Sequence, residues 1–71
     1  MKMNERIRGL RLEKQVTQKD VADTLGVAPR NVQHFEHGTA RPKLENIIKL
    51  ADFYDVSLDY LVGRSDNPQR Y

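Results

Sequence analysis

The sequence predicts an all-α, compact five-helix domain, and three observations predict it. Apolar residues recur at helical spacing in five separate segments, the first carrying Ile7 and Leu10 and the last Leu58 and Leu61. Helix starts and stops punctuate them: Thr17, Pro29, Pro42 and Ser57 open segments, and Gly26, Gly38 and Gly63 close them. No stretch alternates apolar and polar residues as a half-buried strand would, and no internal repeat is visible. Seventy-one residues make one domain. A chain this short buries only about 60% of its unfolded surface, so each element must contribute to a small core.

The first helix is expected over residues 4–14, with Asn4 as N-cap and Glu5 in the first turn. Met3, Ile7 and Leu10 form its apolar face, while Arg6, Arg8 and Glu13 are expected in water. Arg11 lies at the edge of that face, where a partly buried ion pair or full exposure are both open. Gln15 stands where a left-handed glycine often ends a helix, at a cost of about 1 kcal/mol for a side chain there. Thr17 and Asp20 resemble a capping box for the second helix, whose core stripe is Val21, Ala22 and Leu25. Its first turn offers free backbone N–H groups to an anion, with the Gln18 amide extending the reach and Lys19 adding charge. Only Val27 and Ala28 separate Gly26 from Pro29, which opens a third helix ending before Gly38. A glycine stop, a short connection and a proline start form a helix-turn-helix signature. Pro42 is expected to begin a fourth helix carrying Leu44, Ile47, Ile48, Leu50 and Ala51, and with them most of the core. Ser57 caps a short fifth helix. The domain is taken as residues 1–63, and the polar residues 64–71 as a frayed tail.

Composition narrows the function classes. Cysteine is absent and there are two histidines, so no disulfide, thiolate metal site or zinc site is expected, nor any cofactor. No run approaches the ~20 apolar residues of a membrane span, and the start lacks a signal segment, so a cytoplasmic location is expected. No paired carboxylates, nucleophile with base, or glycine-rich phosphate loop argues for an enzyme. Net charge is +2, but unevenly placed: residues 1–43 hold nine Lys/Arg against five Asp/Glu, and residues 44–71 hold three against five. A basic half with an acidic back suits a protein that must orient on a polyanion.

The third helix places Val32 and Phe35 on one side and Arg30, Gln33, His34 and His37 on the other. That outer face holds hydrogen-bonding groups and no large apolar residue, as a helix in the major groove of DNA requires. Arg30 can give two parallel bonds to guanine O6 and N7, and Gln33 can do the same at adenine, each worth roughly 1–3 kcal/mol of discrimination. Gln33 is equally compatible with a solvated amide. His34 can meet a base or a phosphate, with a modest pH dependence of binding expected from its charge state. His37 and Asn31 are placed at the flank, for phosphate or solvent.

IRGLR at 7–11, TQKDVADTLGV at 17–27, FEHG at 35–38, RPKLENIIKLA at 41–51 and VSLDYLVG at 56–63 together resemble the lambda-repressor-like, or Cro/XRE, helix-turn-helix family of bacterial and phage regulators. The resemblance implies a DNA-binding transcriptional regulator, in the main a repressor, acting on double-stranded DNA as a homodimer at a near-palindromic operator. An antitoxin or interaction module on the same fold, with a toxin or anti-repressor as protein partner, is the alternative. It implies that Gln18 holds a phosphate and that Pro29, Arg30 and His34 read bases, with Gln33 on the same face. Thr17, Lys19, Asn31, His37, Arg41 and Lys43 complete the backbone-contacting set. Arg11 and Glu36 match a structural ion pair, and the region of Tyr54, Leu58, Tyr60 and Val62 matches the partner contact, although Leu58 and Tyr60 equally suit the core. Three positions depart from the pattern: Gln15 replaces glycine, Ala28 replaces a Ser/Thr cap, and Pro29 replaces a polar reader.

Overall fold

The computed structural model describes residues 1–70 and contains five helices: α1 (Met3–Glu13), α2 (Gln18–Leu25), α3 (Pro29–His37), α4 (Leu44–Tyr54) and α5 (Leu58–Val62). Tyr71, the last residue of the expected tail, lies outside the described residues. Ile7, Leu10, Val21, Ala22, Leu25, Val32, Phe35, Leu50, Ala51, Tyr54, Val56 and Leu61 form one core, to which every helix contributes. α1 packs on α3 and α5, α2 on α3 and α4, and α4 on α5. The helix-turn-helix pair is thus held between α1 and α4.

Helix ends follow the local chemistry. Thr17 and Asp20 form the capping box, with the Thr17 amide donating to Asp20 Oδ2 and the Asp20 amide to Thr17 Oγ1, both at 3.0 Å. The Thr17 bond draws the Asp20 carboxyl below its usual range. Gln15 is left-handed at φ 59°, as is Asp55 at φ 56° after α4. α3 begins with Pro29 after Ala28, which supplies no side-chain cap. Gly63 closes α5 at φ 88°, and a Cβ there would strike the Met1 carbonyl oxygen.

The structure departs from the expected helix starts at α1 and at α4. α1 starts one residue before Asn4, with Lys2 as N-cap, because the Glu5 carboxylate accepts the Lys2 amide at 3.0 Å. Asn4 instead lies within the helix and reaches the Glu36 carbonyl at 3.4 Å. α4 starts at Leu44 after the extended Lys43. Pro42 is buried, and it lines one cleft with Ile47, the N′ and N4 positions of a hydrophobic staple. Leu44 and Ile48 are exposed, so the core side of α4 is Leu50, Ala51 and Tyr54, with Asn46 also buried.

Arg6, expected in water, is buried. Its guanidinium lies 3.7 Å from the centre of the Tyr60 ring, donates from Nη1 to the Tyr60 carbonyl at 3.2 Å, and stands 3.5 Å from Asp66. The residues after Gly63 turn back along the domain. The Ser57 amide donates to the Pro68 carbonyl at 3.0 Å, and Arg70 reaches Asp52 at 2.6 Å and the Ala51 carbonyl at 3.2 Å. The end of α4 attracts that guanidinium, since unpaired carbonyls and two aspartates concentrate negative charge there.

Candidate nucleic-acid interface

α3 is amphipathic in the simplest sense. Val32 and Phe35 are buried with Glu36, and Pro29, Arg30, Asn31, Gln33, His34 and His37 are exposed. The Arg30 and Gln33 side chains form no hydrogen bond or ion pair with the described residues. Their donors therefore face solvent unspent. His34 is different, because its Nδ1 lies 2.8 Å from Thr39 Oγ1.

Behind that face sits a closed polar cluster. Glu36 is buried to 1% side-chain exposure and takes Arg11 Nε at 2.6 Å and Nη2 at 3.2 Å, so the guanidinium grips the carboxylate with two nitrogens. Arg11 also donates to the Val16 carbonyl at 3.2 Å, and the Gln18 amide donates to Glu36 Oε1 at 3.3 Å. The hydrogen bond to Glu36 holds the Arg11 guanidinium pKa above its ordinary value, against the opposing effect of burial. One carboxylate thus ties α1, α2 and α3 together. Such a buried pair fixes geometry more than it stabilises, because both charges lose hydration. Tyr54 lies close enough for its hydroxyl to feel both charges. Burial, and then the Glu36 charge, push that phenol above its usual range, and it has no hydrogen-bond partner among the described residues.

Two groups of polar residues flank the outer face of α3. At the start of α2, Thr17 Oγ1 occupies the Asp20 amide, which leaves the Gln18 and Lys19 amides as unpaired donors of the helix terminus. The Lys19 ammonium pairs with Asp23 at 3.0 Å, an exposed bond that raises its pKa. On the other side, Asn31, Arg41 and Lys43 line one cleft with Lys49, beside Gly26 and Val27 of the turn. A second cleft joins His37 and Arg41 to Lys2. Arg41 therefore stands between the two. Lys2, Lys49 and Thr39 carry no signal in the linear pattern, since only the fold brings them to this surface.

The four residues expected at the partner face differ in exposure. Tyr54 is a core residue at 1% exposure, Tyr60 lies under the Arg6 guanidinium, and Val62 lines the cleft with Met3 and Phe35. Only Tyr54 is claimed by the core, since Tyr60 and Val62 are half-buried. Leu58 remains open at 44% exposure, and Phe53, absent from the expected set, is open at 38%. No group of three or more His, Cys, Asp or Glu residues suited to a metal occurs among the described residues, and no described helix is long and apolar enough to cross a membrane.

Comparison with known proteins matches residues 7–61 to the helix-turn-helix family model. The cryptic phage CTXphi transcriptional repressor RstR of Vibrio cholerae is 41% identical over 63 residues, covering 89% of this chain and 57% of that protein. The transcriptional regulator ImmR of Bacillus subtilis is 30% identical over 66 residues, covering 93% of this chain and 52% of that protein. The chain thus spans about half the length of the curated relatives it matches. Among solved structures, the P22 c2 repressor in complex with a synthetic operator superimposes with a TM-score of 0.84 at 28% identity, over 92% of this chain and 98% of that one.

Proposed function

The chain belongs to the helix-turn-helix family, and on that premise we propose that it is a sequence-specific DNA-binding transcriptional regulator, a repressor that inserts α3 into the major groove of its operator. The observation that carries this reading is the outer face of α3, where Arg30 and Gln33 stand exposed and unpaired. An α-helix about 10–12 Å across matches a groove about 12 Å wide. Arg30 is the principal reader, giving two bonds to a guanine, and Gln33 and His34 share the reading. Pro29, which offers no donor, touches a thymine methyl. The α2 terminus, through Thr17, Gln18 and Lys19, takes a phosphate on one side of the groove, while Asn31, His37, Arg41 and Lys43 follow the backbone on the other. The Arg11–Glu36 pair holds α3 at the angle this requires.

One short helix reads only a few base pairs, so the operator-bound form is a homodimer whose recognition helices stand about 34 Å apart, one turn of the duplex. Leu58 is the apolar surface available near the last helix, with Phe53 as a candidate addition. Repression follows from occlusion of polymerase. The site of action is then the cytoplasm of a bacterium, in keeping with relatives named as bacterial and phage regulators.

Binding to sequences selected from a random duplex pool tests this. Arg30→Ala is expected to lose roughly 1–3 kcal/mol and to relax preference at one base pair, whereas Lys43→Ala weakens all sequences alike and lowers the salt slope by about 1. Sedimentation of the operator complex reports the dimer. Binding that is insensitive to salt, or an Arg30→Ala variant with unchanged preference, would overturn the assignment of the α3 face.

A further inference from the structure

We propose that Thr39 is a positioning residue for base recognition: its hydroxyl fixes the His34 ring with Nε2–H facing outward, so that His34 selects a hydrogen-bond acceptor on a base edge. This inference rests on the proposed reading of α3 as the groove helix. Thr39 Oγ1 stands 2.8 Å from His34 Nδ1 and 3.3 Å from the His34 carbonyl oxygen. That carbonyl is already well supplied. It accepts the amides of Gly38, which caps α3 in the left-handed conformation, of Thr39 at 3.1 Å, and of Ala40 at 3.4 Å. The hydroxyl proton therefore has its better acceptor in Nδ1, the nearer atom with an unused lone pair. In a neutral imidazole one nitrogen donates and the other accepts, so a proton received at Nδ1 leaves the ring's own proton on Nε2. In the cationic ring the relation inverts. Nδ1–H then donates to Oγ1, and the hydroxyl proton turns to the carbonyl, which is within reach. Nε2–H faces outward in both forms.

The consequence is chemical selectivity. Nε2 carries no hydrogen bond within the described residues and lies on the exposed side of α3, one helical turn after Arg30. A fixed donor there matches guanine O6 or N7, adenine N7, or thymine O4, and repels the amino group of cytosine. Without the hydroxyl, the exposed ring turns about χ2 and can offer either nitrogen, so discrimination is lost while Arg30 is untouched. Thr39 is itself exposed, so its hydroxyl contributes little to the fold.

The test compares wild type, Thr39→Val, Thr39→Ser, His34→Ala and the Thr39→Val/His34→Ala double variant against a panel of duplexes changed one base pair at a time, in mildly alkaline buffer. His34→Ala identifies the base pair that His34 reads. At that pair, wild type and Thr39→Ser are expected to disfavour cytosine, Thr39→Val to lose about fivefold to tenfold of that discrimination, and the double variant to equal His34→Ala alone. Long-range proton–nitrogen NMR of free wild type should find the neutral His34 proton on Nε2. A proton on Nδ1, full discrimination in Thr39→Val, or a Thr39→Val effect that persists without His34 would each overturn the proposal. Absence of DNA binding by wild type would instead overturn the regulator reading and the base preference with it, leaving the NMR measurement to decide the ring's proton position alone.

Discussion

Replacing Arg11 with methionine isolates the electrostatics of the cluster behind α3, because methionine keeps most of the side-chain volume and removes the charge. The Glu36 carboxylate, 1% exposed, accepts three hydrogen bonds in the native chain, two from Arg11 and one from Gln18. Arg11→Met leaves it one neutral amide donor and no cation. Breaking a buried pair from one side costs about 3–5 kcal/mol, most of it the uncompensated charge. At about 0.05–0.15 kcal/mol per residue, a chain of this size has roughly 4–11 kcal/mol in all. The loss is therefore a large share of the total, equivalent at about 4–8 °C per kcal/mol to a fall in Tm of roughly 12–40 °C. Urea unfolding followed by circular dichroism measures it. The companion Arg11→Met/Glu36→Leu variant removes both charges and should recover most of the stability, while losing the fixed angle between α1 and α3. An Arg11→Met cost under about 1 kcal/mol would refute the reasoning, since it would mean that Glu36 exchanges its partner for water without penalty.

Two further substitutions test single features of the fold. Gln15→Gly relieves the left-handed backbone after α1 and should raise stability by about 0.5–1 kcal/mol in the same urea assay, with the DNA contacts unchanged. Tyr54→Phe removes a buried hydroxyl that has no partner among the described residues, and is expected to be neutral or to stabilise by up to about 1 kcal/mol. A loss above about 1 kcal/mol would mean that the hydroxyl is satisfied.

The order of helices, the capping box at Thr17 and the left-handed Gln15 were legible because their causes lie within a few residues along the chain. What could not be read depends on distant partners. Arg6 looks like a solvated charge at helical period, yet the carbonyl that receives it is on Tyr60, 54 residues on. Tyr54 was expected at the partner contact because apolar residues crowd the end of the chain and the resemblance places a contact there, whereas packing puts it at 1% exposure beside the ion pair. Leu44 and Ile48 belong to an apolar face wider than the small core can cover, so the rim of α4 remains in water. The outer face of α3 was visible from residue type alone, since Val32 and Phe35 fix which side is buried. Thr39 was not, because its role exists only where the chain turns back after Gly38 and brings the hydroxyl to His34.

The separation within α3 bears on how such a domain changes its target. Glu36 on the inner side is shared by three helices, so any substitution there alters stability, helix angle and the placement of Gln18 at once. The side chains of Arg30 and Gln33 on the outer side have no hydrogen bond or ion pair among the described residues, and exchanging them leaves the core and the ion pair untouched. On the proposed reading of α3, a new operator can be acquired by single substitutions at positions 30 and 33 without passing through an unfolded intermediate genotype, whereas a change at 34 must be matched at 39.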